Sequence, residues 1–273
     1  MQECRKREIR IKADSFRGKC KISRYGIIDL FKECRRLGYK LFRYPLGENA
    51  DLGFTVKRDN DIIIFTNSCS RLSREIFTLA HELGHIILHL EGDISFIDDN
   101  VTITGRSTDE KEQEANYFAA CLLMPSDDIR RFIDLEIQCF ENKGLSAMDI
   151  ARIMSEFNVS FDMALNRLES LGIIDANQKF RLDNEKVEKR VGNLLRSVGG
   201  NAGLNAPANE IDIPHEYIDY VIYNYNHNAV PRETLEKVLA CYHLSIEDVG
   251  DKLIEHTDNN DDDLEDLIGG LDD

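Results

Sequence analysis

The sequence predicts an α+β fold: a small, mostly antiparallel sheet adjoins a set of helices, and a helical C-terminal region follows. Two observations carry this. Residues 39–43, 53–57 and 61–66 are short runs rich in β-branched and aromatic side chains, the last two separated by the turn-forming Arg58-Asp59-Asn60. Around and after them, apolar residues recur at helical spacing for most of the remaining chain.

Taken in order, residues 1–23 read as an N-terminal extension. MQECRKREIRIK carries basic residues with no apolar stretch behind them, so neither a signal peptide nor an anchor is expected and the protein is placed in the cytoplasm. From residue 24 to 37, Ile27, Ile28, Leu30, Phe31, Cys34 and Leu37 have helical spacing, and Gly38 is a plausible stop. After the strands, Ser70 or Ser73 can cap a helix that runs through TLAHELGHIILHL and ends near Gly92. A second helix starts at Ser107, which has capping-box spacing to Glu110, and stops before Pro125. Helices are also expected over 127–140, 146–157 and 161–171. These elements make one domain, residues 24–175. Residues 176–209 are polar, contain Gly199-Gly200-Asn201 and read as a linker; 210–256 form a helical C-terminal region, and 257–273 a disordered acidic tail.

Composition narrows the function classes. A chain of 273 residues can bury a core large enough for an enzyme, and no apolar run approaches the roughly 20 residues that span a bilayer. Seven cysteines without CxxC spacing fit a reducing compartment, with Cys34, Cys121 and Cys139 as small core hydrophobes. The formal net charge of −16 opposes attraction to phosphate backbones, so nucleic acid is not an expected direct partner, although much of that charge lies in the tail.

The chemistry concentrates in His81-Glu82-Leu83-Gly84-His85. Residues four apart on a helix lie about 40° apart in projection and about 6 Å apart along the axis, which lets two imidazoles converge on one cation. Glu82, about 100° around the helix from His81, can reach a water on that cation without ligating it, as a general base must. One catalytic Zn2+ with a water position needs a third protein ligand. EQEANYFAACLLMP offers Glu112 and Glu114; Glu114 is the choice here, because Ala115, Phe118, Ala119 and Leu122 fall near its side of the helix and would pack that turn on the histidine helix. The alternative for both glutamates is a favourable place at the positive end of a helix. Glu91 lies where HExxHxxGxxH puts its last ligand, but Leu88 stands in place of the glycine that motif needs. His89 is one turn too far along and reads as a supporting or packed histidine. Gly84 is either tolerated or kept to let another segment approach.

FTLAHELGHIILHL, followed some thirty residues later by EQEANYFAACLLMP, resembles the ImmA/IrrE family of metallo-endopeptidases, and the likeness extends loosely over residues 24–174. The resemblance implies a gluzincin-like fold in which His81, His85 and Glu114 hold zinc and Glu82 is the catalytic acid/base. It also implies a protein substrate, a transcriptional repressor or stress regulator, with Asn116 and Phe118 supporting the ligand helix.

Three further expectations follow. Residues 61–66 are proposed as the sheet edge on which a substrate strand docks. Tyr44 is a candidate for stabilising an oxyanion. LSAMDIARIMSEFNVSFDMALNRLESLGII has helix-turn-helix form, but its second helix carries one basic residue, Arg167, so packing or protein recognition is preferred to DNA reading. The competing functional class is a DNA-associated regulator with a structural or vestigial zinc site; a zinc hydrolase acting on small amides would share the metal chemistry.

Overall fold

Helix α1 (Glu3–Arg17) buries Ile9, Ala13 and Phe16, whose spacing puts them on one helical face. The region read as an extension is therefore an integral helix. The computed structural model describes residues 1–47, 50, 52–58, 61–90, 95–98, 109–137 and 144–254, and divides the chain into units Met1–Asp212 and Ile213–Asp273.

Helix α2 (Leu30–Arg36) starts later than the apolar spacing suggests. Asp29 caps it by accepting from the Lys32 amide, and the residues before it are used in a turn closed by Ser23 N–H to Gly26 O and the Ile22–Ile27 bridge. Gly26 is required there: a Cβ would fall 1.9 Å from the Glu156 carbonyl oxygen.

The sheet has β1 (Lys40–Tyr44) parallel to β3 (Asp61–Asn67), β2 (Gly53–Arg58) antiparallel to β3, and β4 (Ser95–Asp98) antiparallel to the outer side of β2. The order β1-β3-β2-β4 makes β3 an interior strand. The proposed docking edge at 61–66 is thus corrected: both sides of β3 are already paired. Its buried Ile64 and Thr66 lie on the face toward α3 (Leu72–His89), Thr66 Oγ1 donating to Glu75 at 2.9 Å, while Phe65 on the other face stacks on Phe54.

Helix α3 is buried over most of its length because it lies between the sheet and α4 (Glu110–Leu123). Neither serine caps it: Arg71 is the N-cap, and Ser73 sits inside the helix. Asp109 caps α4 by accepting from the Lys111 amide, while the expected cap Ser107 lies outside the described residues. A buried ion pair ties β1 to α3, with Arg43 donating to Glu75 at 2.8 and 2.9 Å and also to Glu210 at 2.6 Å.

Helices α5 (Ser126–Glu136), α6 (Ala147–Phe157) and α7 (Phe161–Ser170) complete the region foreseen as one domain. Ser146 and Asp149 form a capping box on α6, Asn158 turns the chain at φ 55°, and Ser160 caps α7. Arg167 is buried, donating to the Met124 carbonyl at 3.0 Å, so the one basic residue of the second helix serves packing.

The segment read as a linker is helical: α8 (Ala176–Lys189), α9 (Val191–Ser197) and a 3-10 turn at Ala202–Asn205. Leu182, Leu194, Leu195 and Leu204 join the core of the first unit. Periodicity was weak because α8 buries only Leu182, leaving Phe180 and Val187 in solvent.

The second unit has α10 (Glu216–Asn226), α11 (Arg232–Cys241) and a 3-10 helix at Glu247–Lys252 around Val221, Ile222, Leu235, Leu239 and Val249. The tail lies outside the described residues. Among those described there are eleven α-helices, none long and apolar enough to cross a membrane.

Candidate metal centre

His81, Glu82 and His85 are fully buried in α3. The helical repeat brings the two Nε2 atoms to 3.0 Å of each other. The first turn of α4 adds Glu112, with Oε2 3.2 Å from His81 Nε2 and Oε1 3.3 Å from His85 Nε2. One ligand atom from each residue falls within 4.8 Å of the other two, a grouping that could hold a metal ion.

Gly84 makes this approach possible. A Cβ there would lie 2.9 Å from Ala115 Cα and 3.1 Å from its carbonyl oxygen, so α3 and α4 touch backbone to backbone at this level.

The donor set suits a cation. Asn116 Oδ1, an acceptor, lies 3.0 Å from His81 Nδ1; the ring proton belongs on Nδ1, and Nε2 presents a lone pair to the centre. Glu112 Oε2 is buried without a hydrogen bond, an expensive state unless a positive charge faces it.

Glu114 is elsewhere. Arg5 of α1 donates Nε to its Oε1 at 2.8 Å and Nη2 to its Oε2 at 2.5 Å, while His89 Nε2 lies 2.9 Å from Oε2. Chiefly through Arg5, its carboxyl is pushed down to about 2. The expectation that Glu114 joins the histidines is corrected: Glu112 does. Residues two apart on a helix point about 200° apart, so only one of them can face α3. Glu112, Ala115, Ala119 and Leu122 share a stripe at i, i+3, i+7 and i+10, and Ala115 on that stripe meets Gly84 of α3. His89 stands outside the metal grouping, its Nδ1 3.3 Å from His85 Nδ1. Glu91 lies outside the described residues.

Glu82 receives a partner from the sheet that sequence reasoning missed. Thr55 Oγ1 donates to Glu82 Oε2. Strand β2 comes this close because position 53 is glycine: a Cβ would fall 2.5 Å from Thr78 Cγ2 and 3.4 Å from Glu82 Oε1. A glycine inside a strand is the signal that could have found this contact, since it often marks close approach of a backbone. Tyr44 ends β1, which β3 separates from β2 and Thr55.

The peptidase M78 family model, described as the IrrE N-terminal-like domain, matches residues 34–169. Comparison with curated proteins returns no match. The matched stretch contains the sheet, α3 with its two histidines, and α4 with Glu112, while Arg5 and the rest of α1 precede it. Over residues 34–169 the chain therefore belongs to the ImmA/IrrE peptidase family.

Proposed function

We propose that this chain is a zinc endopeptidase that cleaves a regulatory protein, most specifically a transcriptional repressor. The observation that carries it is the convergence of His81 Nε2, His85 Nε2 and the Glu112 carboxylate beside the buried carboxylate of Glu82. Membership of a peptidase family supports the reaction class, and the resemblance to ImmA/IrrE proteins supports the repressor.

His81, His85 and Glu112 would hold the ion; two imidazoles and one carboxylate are a ligand set found in catalytic zinc sites, which keep a fourth position open. Zinc bound there supplies Lewis acidity, lowering the pKa of water to about 7 and polarising a carbonyl. Asn116 fixes the His81 ring through Nδ1. Glu82 takes a proton from the attacking water and delivers it to the leaving amine nitrogen. Thr55 holds one Glu82 oxygen and so fixes the plane of the carboxylate. Gly53 and Gly84 let the sheet and α4 close on α3 from two sides.

The test is co-expression with regulators encoded nearby, scoring which one disappears with the wild type and survives with Glu82→Gln. Normal cleavage by the Glu82→Gln protein would refute the assigned mechanism.

A further inference from the structure

We propose that helix α1, which precedes the family-matched residues, is part of the support of the metal centre: Arg5 positions Glu114, Glu114 positions His89, and His89 holds the His85 ring with Nε2 toward the ion. This rests on the proposed reading of His81, His85 and Glu112 as zinc ligands.

The donor and acceptor pattern fits such an order. If His85 gives its Nε2 lone pair to a cation, its proton is on Nδ1. His89 Nδ1 lies 3.3 Å from that Nδ1 and accepts from it when the proton is there. The His89 proton consequently sits on Nε2 and is donated to Glu114 Oε2 at 2.9 Å. Glu114, an acceptor only, is held at both oxygens by the Arg5 fork. Each member has one role compatible with its neighbours, and the row ends on a guanidinium that cannot reverse its direction. The middle of the row is shielded from solvent: the His89 side chain is 5% exposed and that of Glu114 16%, against 30% for Arg5. The two ligand histidines are thus braced differently, His81 by Asn116 on α4 itself and His85 through three residues that lead to α1.

A merely structural role for Arg5 predicts something else, since α1 is also held to α4 by Arg10, which donates to the Tyr117 hydroxyl at 2.9 Å outside this row. Arg10→Ala is therefore the control. Zinc affinity of the full chain is measured by chelator competition for wild type, Arg5→Ala, Glu114→Ala, Arg5→Lys and Arg10→Ala, with melting in excess chelator recorded for each. Arg5→Ala and Glu114→Ala should weaken zinc binding roughly 10- to 100-fold, the range for loss of an outer partner of a metal-bound histidine. Arg5→Lys, which keeps the charge and loses the fork, should fall between them and wild type. Arg10→Ala should bind zinc within about twofold of wild type even where it melts earlier. In 15N spectra of the zinc-loaded protein, the His85 Nδ1 proton should be protected in wild type and exchange faster in Arg5→Ala. Wild-type affinity in Arg5→Ala, or an equal loss in Arg10→Ala, would overturn this inference and leave the zinc reading standing. A wild type that binds no zinc would overturn both.

Discussion

The α3–α4 contact and the Ile213–Ile254 unit are both helical packings, yet they bury opposite kinds of residue. At the first, two histidines and a glutamate are fully buried beside a glycine and small alanines, with Thr55 and Asn116 aimed at them. In the second, the buried set is Val221, Ile222, Leu235, Leu239 and Val249, all apolar, and ion pairs such as Lys252–Asp219 lie 60% and 71% exposed. Burying ionisable groups costs free energy, whereas exposed pairs contribute between about 0 and 1 kcal/mol. The contrast sets the proposed site apart from the second unit, whose helices associate through buried apolar side chains.

The sharpest way to break this comparison is Glu82→Gln, which keeps the shape and removes the proton acceptor. Cleavage should fall about 10²- to 10⁴-fold with zinc content unchanged; an equal loss of zinc would show that Glu82 acts on the metal instead. Next comes the ligand choice. Glu112→Ala should weaken zinc binding by more than the roughly 100-fold that bounds loss of an outer partner, and so by more than Glu114→Ala does. The reverse ranking, measured by chelator competition, would restore Glu114 as the ligand.

Thr55→Val removes a hydroxyl bonded to a carboxylate, an interaction worth about 1.5–3 kcal/mol, and should lower kcat about tenfold or more with little change in zinc affinity. Gly84→Ala forces a methyl group against Ala115; overpacking of this kind costs about 1–3 kcal/mol, read as an earlier melt in chelator with a parallel loss of zinc affinity. Leu235→Ala should destabilise the second unit by about 2–5 kcal/mol in denaturant titration while leaving zinc affinity within about twofold. A large change in zinc binding would show that the two units are not energetically separate.

Much of the centre was legible in sequence because its key spacing is local. His81, Glu82 and His85 are placed by the helical repeat alone, and the apolar periodicity and strand signals around them located the fold class and the helix that carries them, although neither proposed serine caps it. Glu112 was harder. Two glutamates two residues apart both favour the start of a helix, and which one faces α3 depends on how α4 is rotated in its packing against α1 and α3. The buried stripe through Ala115, Ala119 and Leu122 held the answer, but Phe118 lies on Glu114's side and drew the reading that way. Thr55 was missed: Gly53 signals a close backbone approach, but it does not state which neighbouring side chain will meet the helix. The misread linker shows the same limit from the other direction: α8 is helical with one fully buried apolar side chain, too few to produce a period.

Two of the three donors share a helix while Glu112 stands on another, so a cation bound by all three would close a loop of about thirty residues like a removable staple. An ion that binds only the native form adds about 2.7 kcal/mol of stability when free metal exceeds its dissociation constant a hundredfold. Scarcity of the metal would then shorten the protein's own survival as well as silence it, tying how long the molecule persists to the same supply that sets how fast it works.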